Sequence, residues 1–142
     1  VKSILLADDQ LAIRILLSQT LEDFEDLGVE IILAGDGRAA FELIKKHRPN
    51  LVFLDIMMPF MNGYEVFEKM KIELPELFGE NKTHVVMLTA KGQEADRQKG
   101  FESGVDMYVT KPFDPDLIVS IASKVLMIDL NTKNNNGKMV KN

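Results

Sequence analysis

The sequence predicts an α/β protein: a doubly wound, five-stranded parallel sheet with helices on both faces. Three observations predict it. Five short apolar runs recur along the chain. Most of them are continuous rather than alternating, as in strands buried on both faces. Stretches with helical spacing separate them, and right-handed crossovers turn such an alternation into a sandwich.

The first run is Ile4–Ala7. Behind it Ile13, Leu16, Leu17 and Leu21 repeat at the three-and-four spacing of one helix face. The second run, Val29–Ala34, precedes a helix marked by Ala40, Leu43 and Ile44, with Asp36 placed to cap its start and Pro49 beyond its end. The third run is Leu51–Leu54, followed by a helix carrying Tyr64, Phe67 and Met70. The fourth, Val85–Leu88, leads into a helical pattern over Gly92–Glu102 that Gly100 weakens. The fifth, Val105–Val109, precedes a helix starting just after Pro115 and marked by Leu117, Ile118, Ile121, Ala122 and Val125. The segment 72–83 contains Leu74, Leu77 and Phe78 and fits either an extension of the third helix or a partner contact. Residues 1–129 read as one domain, and the polar residues 130–142 as a tail or linker.

Of the 142 residues, 46% are hydrophobic and 27% charged, so the chain can bury a core. A net charge of −5 argues against a nucleic-acid-binding surface. Cysteine is absent, which removes disulfides, thiolate metal sites and thiol nucleophiles and fits a reducing cytoplasm. No apolar run is long enough to span a bilayer, and no membrane contact is expected. His47 and His84 lack paired ligand spacing and read as structural or solvent-facing, and the eight methionines as core filling.

The residues that carry chemistry gather where the fold class places ligands, at the carboxyl ends of the strands. Asp8 and Asp9 follow the first run, Asp55 ends the third, Thr89 ends the fourth, and Lys111 follows the fifth. Three close carboxylates repel one another and favour a hard divalent cation with oxygen ligands, and Mg²⁺ suits a site of few carboxylates. A carboxylate can also act as a nucleophile toward phosphorus. Lys111 would then stabilise charge on the transferring oxygens, and the Thr89 hydroxyl would hydrogen-bond one of them.

Four segments, in order and each at the end of a run, carry a family resemblance. They are Leu5-Leu6-Ala7-Asp8-Asp9, Leu54-Asp55-Ile56-Met57-Met58-Pro59, Met87-Leu88-Thr89-Ala90 and Tyr108-Val109-Thr110-Lys111-Pro112-Phe113. Over residues 3 to 127 the chain resembles the receiver domains of bacterial two-component response regulators. The resemblance implies a flavodoxin-like (βα)5 fold with strand order 2-1-3-4-5. It implies that Asp55 accepts a phosphoryl group from a histidine kinase or a histidine phosphotransfer protein. Asp9, Asp55 and the Met57 carbonyl would bind Mg²⁺, with Asp8 acting largely through water. Thr89 and Tyr108 would be the switch pair, Lys111 would contact the phosphoryl group, and the Lys111–Pro112 peptide would be cis. The stretch from Asp8 to Leu17 is similar to the first helix of single-domain phosphorelay receivers. That likeness implies docking of the donor's helical bundle on Gln10, Leu11, Arg14 and Ile15, with Pro112 and Phe113 beside them. Helical spacing sets Leu11 and Ile15 together, off the Ile13/Leu17 stripe.

The chain departs from the family pattern at Phe60, where the family usually has Gly. Met57 and Lys91, two residues beyond Asp55 and Thr89, stand where the family tunes phosphoryl lifetime, and neither is an amide or carboxylate. Three other readings compete. A phosphatase or phosphotransferase for small molecules would place a second Asp where Met57 stands. A flavin-binding module would need a phosphate-cradling loop, and Asp8-Asp9 would repel a phosphate there. A scaffold without phosphoryl chemistry has no need of the full acidic, Thr and Lys set. The resemblance implies signalling rather than metabolism, with a downstream protein target or output domain, no nucleic acid contacted by this domain, and catalysis confined to its own aspartate. The chain fits both a stand-alone relay protein and the receiver of a longer regulator or hybrid kinase.

Overall fold

The computed structural model describes residues 1–80, 82–90 and 104–130. Five strands form one parallel sheet: β1 (Ser3–Ala7), β2 (Glu30–Ala34), β3 (Leu51–Asp55), β4 (His84–Ala90) and β5 (Met107–Lys111). Their order is β2-β1-β3-β4-β5, as expected from the resemblance. The order reverses direction between β1 and β3, so the chain ends that leave these two strands diverge and open a crevice at the carboxyl rim.

Helices α1 (Leu11–Thr20), α2 (Glu22–Asp26), α3 (Gly37–His47), α4 (Gly63–Glu73) and α5 (Pro115–Leu126) surround the sheet. The middles of the strands are apolar because each face has a cover. Leu5, Ala7, Val52, Leu54, Val85, Met87 and Tyr108 pack with residues of α3 and α4. Ile4, Leu6, Leu51, Phe53, Val86, Leu88 and Val109 pack with residues of α1, α2 and α5. The helix expected over Gly92–Glu102 and the tail from Asn131 lie outside the described residues.

Local chemistry sets the helix starts. The Asp36 carboxylate accepts the Ala39 N–H at 2.7 Å and caps α3, as its position predicts. Asn62 and Glu65 close a reciprocal capping box on α4, at 2.9 and 2.8 Å. Asp114 caps α5 ahead of Pro115, accepting the Asp116 N–H at 2.9 Å.

Three expectations change. Leu16 and Leu117 fit the helical stripes but are exposed. In α1 the stripe is narrower than the spacing suggests, with Leu17 buried and Ile13 only partly buried. The segment 72–83 is not an extended helix. Pro75, which has no N–H to give, starts a 3₁₀ turn over Pro75–Phe78 after α4 has ended. Leu74 and Leu77 turn into the core, and Phe78 meets Phe67 edge-on, ring centroids 5.6 Å apart. The short α2, which buries Phe24, was not expected from periodicity.

Candidate functional site

The residues singled out at the strand ends come together on one rim. Asp8 leaves β1 fully buried and is held at both ends. Its main-chain N–H donates to the Ala34 carbonyl at 3.1 Å. Its carboxylate accepts the Gln10 N–H at 2.9 Å and the Lys111 ammonium at 2.8 Å. Its carbonyl accepts from the Arg14 guanidinium at 2.6 Å. Asp55, the last residue of β3, is 5% exposed, with the Lys111 Nζ 3.3 Å from its Oδ1. Asp9 is exposed at the mouth. Asp8, Asp9 and Asp55 each offer an oxygen within 4.8 Å of the others.

This rim holds three carboxylates against one ammonium. Burial, and then the charge of Asp8, push the Asp55 carboxyl up to about 6; Lys111 and the Met57 N–H only partly offset them. Burial alone would lower the Lys111 ammonium, but its hydrogen bond to Asp8 and the charges of Asp55 and Asp8 outweigh burial and raise it. Lys111 therefore stays charged at neutral pH. A hard divalent cation among the three carboxylates would relieve their mutual repulsion, and the all-oxygen donor set fits one. Among the described residues this is the acidic group whose oxygens are spaced for a metal.

The loop after Asp55 is shaped by close packing. Gly63 leaves no room for a side chain: a Cβ there would lie 2.7 Å from the Asp55 carbonyl oxygen. A Cβ on Gly37 would lie 1.7 Å from the Met61 carbonyl oxygen. Phe60 has φ +71°, in the left-handed region that glycine enters without steric cost and a side chain does not. Its ring is 72% exposed, with the Arg38 guanidinium 4.7 Å from the ring centroid. Met57 is exposed beside it.

Thr89 is buried on β4, and its hydroxyl donates to the Ala90 carbonyl at 3.3 Å. Asp55 is in register with Leu88, so Thr89 stands one residue further along the neighbouring strand. Tyr108 is buried on the α4 side, its hydroxyl 2.9 Å from that of Tyr64. The Lys111–Pro112 peptide is cis. Lys91 lies outside the described residues. Leu11 and Ile15 are 61% and 47% exposed on α1, with Gln10 and Pro112 also exposed. Phe113 is half-buried against the core on the α1–α5 side. Arg14 is half-buried, its guanidinium turned toward the rim. His47 sits 3.9 Å from Glu30, and His84 starts β4 away from the rim.

Sequence reasoning did not single out Gly37 or Gly63, and it took Tyr64 only as a helix marker. The signal for Gly37 was a poor helix former directly behind a capping Asp. Tyr64 fitted the helical stripe and read as packing, which hid its hydroxyl.

Comparison with known proteins agrees with this geometry. Residues 4–123 match the family model of the response regulator receiver domain. The chain is 38% identical over 136 residues to the probable transcriptional regulator ycf27 of Porphyridium aerugineum, covering 95% of this chain and 52% of that one. It is 37% identical over 129 residues to the response regulator Rre1 of Synechocystis, covering 87% of this chain and 51% of that one. Among solved structures, the REC domain of AraT, a response regulator from Geobacillus stearothermophilus, aligns with a TM-score of 0.76 at 28% identity, over 94% of this chain and 98% of that one. The chain belongs to the response regulator receiver domain family. It spans about half the length of the two regulators named above. Among the described residues no helix is long and apolar enough to cross a membrane.

Proposed function

We propose that this chain is the phosphoacceptor receiver of a two-component or phosphorelay system, taking a phosphoryl group from phosphohistidine onto Asp55. The observation that carries the reading is the buried Asp55 carboxylate, raised to about 6, beside two further carboxylates and the Lys111 ammonium. The residues fit Mg²⁺ held by Asp9, Asp55 and the Met57 carbonyl, with Asp8 acting through water. When bound, the ion supplies positive charge that neutralises phosphoryl oxygens and keeps Asp55 ionised.

The chain's own residues do the rest. An Asp55 carboxylate oxygen attacks phosphorus in line; the O–P bond forms as the P–N bond to the donor histidine breaks, and the imidazole leaves with the electron pair. Lys111, paired with Asp8 and Asp55 before transfer, turns to a phosphoryl oxygen. The Thr89 hydroxyl donates to another. The donor's helical surface docks on Gln10, Leu11, Arg14 and Ile15, with Pro112 and Phe113 beside them; the exposure of Leu11 and Ile15 supports this. Arg14 contributes the outer edge of its guanidinium, the inner edge being held by Asp8.

Phosphorylation then biases a two-state face formed by the helix expected over Gly92–Glu102, β5 and α5, with Thr89 and Tyr108 as the switch pair. The output is a protein target or a further domain. The chain catalyses only the gain and loss of its own phosphoryl group, and its proposed setting is the cytoplasm. The test is incubation with acetyl phosphate, with and without Mg²⁺, followed by intact-mass spectrometry. One phosphoryl group should add in the presence of Mg²⁺ and none in Asp55→Asn; a wild-type mass unchanged with Mg²⁺ would sink the reading.

A further inference from the structure

The chain holds two tyrosines, Tyr64 and Tyr108, and no tryptophan. The tyrosines are 44 residues apart in sequence, yet their hydroxyls meet at 2.9 Å inside the protein. Both side chains are buried, on the face that also holds Leu54 and Met87. A buried phenol hydroxyl needs a hydrogen-bond partner, and here each ring supplies one to the other.

The two rings are anchored to different parts of the molecule. Tyr108 belongs to β5, in register with Met87, which is in register with Leu54, the residue before Asp55. Tyr64 is the second residue of α4 and is tied to the acceptor loop. The Gly63 N–H donates to the Ile56 carbonyl at 2.8 Å, and Gly63 lies against the Asp55 peptide too closely to admit a side chain. The capping box at Asn62 and Glu65 fixes the helix direction, so Tyr64 has little freedom to follow Tyr108 elsewhere.

We infer that Tyr64 is a latch on Tyr108: its hydroxyl holds the Tyr108 ring inward in the unphosphorylated protein. The orientation of Tyr108 is then set from the acceptor loop through Tyr64, as well as by the phosphoryl group through Thr89. The switch role of Tyr108 rests on the function proposed above; the latch is a property of the unphosphorylated chain. A neutral hydrogen bond shifts an inward-to-outward ratio by roughly two- to tenfold. With the latch in place the inward ring dominates before any signal, and phosphorylation has less left to move at Tyr108.

The experiment uses tyrosine carrying ¹³C in the ring, because two tyrosines give two sets of ring resonances, assigned with Tyr108→Phe. In the untreated wild type, the two rings should show cross-relaxation between their protons nearest the hydroxyls. In untreated Tyr64→Phe, which keeps the ring and loses the hydroxyl, the Tyr108 resonances should move toward those of a solvent-exposed tyrosine. Addition of Mg²⁺ and acetyl phosphate should bring them back. Missing cross-relaxation in the wild type overturns the latch, even if the variant fails to fold. Tyr108 resonances in untreated Tyr64→Phe that coincide with the wild type overturn it as well. If acetyl phosphate modifies no protein, the receiver reading fails, while the comparison of untreated samples still decides the latch.

Discussion

Among single residues, the balance at the rim is decided by how three carboxylates share one ammonium. Asp55 carries the consequence: its carboxyl rises from 3.8 to about 6, first through burial and then through Asp8. The folded-state value lies above the unfolded one. The stability Asp55 confers is therefore full below 3.8 and is lost as pH rises through about 6. Asparagine escapes that loss. In metal-free buffer at pH 7.5, Asp55→Asn should be more stable than the wild type by on the order of 1–3 kcal/mol. The gap should close as pH falls toward 3.8. Thermal melts with a chelator across this range check it, and equal melting temperatures at pH 7.5 would contradict the assignment. The residues of this cluster were legible in the sequence because carboxylates, a hydroxyl and an ammonium fall together at four strand ends, a placement that helix capping alone does not explain. The Asp8 clamp by Arg14 was not, since Arg14 lies six residues on and reads as an exposed helix position.

Elements are placed by contacts that leave no slack, and the clearest is the start of α3 against the acceptor loop. Gly37 donates its N–H to the Pro59 carbonyl at 3.3 Å and would put a Cβ 1.7 Å from the Met61 carbonyl oxygen. Backbone lies on both sides of that contact, so neither side yields cheaply. Gly37→Ala should lower stability by about 2–3 kcal/mol, read as a shift in the urea midpoint at unchanged slope. An unchanged midpoint would mean that the loop is not held there. The strands and the long helices were readable from periodicity and caps. What periodicity could not give was depth. Leu16 and Leu117 obey the spacing yet face solvent, because a stripe shows only that one side is apolar, not how wide a groove receives it. The turn over Pro75–Phe78 escaped for a related reason: Leu74, Leu77 and Phe78 looked like helix or partner surface until their packing was known.

For the whole molecule, the strand order brings Asp8, Asp55, Thr89 and Lys111 to one rim while the sheet beneath them stays apolar on both faces. Anything that binds the rim of the folded chain must therefore stabilise the entire domain. Mg²⁺ at one hundred times its dissociation constant should stabilise the wild type by about 2.7 kcal/mol and so raise its melting temperature. Asp55→Asn should show a much smaller rise, reversing its metal-free advantage. Calorimetric scans at several Mg²⁺ concentrations check this; equal shifts in both proteins would place the ion elsewhere. The parallel order itself was legible from five apolar runs and the helices between them, since short crossovers allow few alternatives.

The central claim is that Asp55, and no neighbouring carboxylate, takes the phosphoryl group. The most direct measurement is borohydride reduction after treatment with Mg²⁺ and acetyl phosphate, followed by peptide mass spectrometry. Reduction of an aspartyl phosphate leaves homoserine at the modified position. The account predicts homoserine at Asp55 alone. Homoserine at Asp8 or Asp9, or at none of the three in a sample whose intact mass has risen, would contradict it.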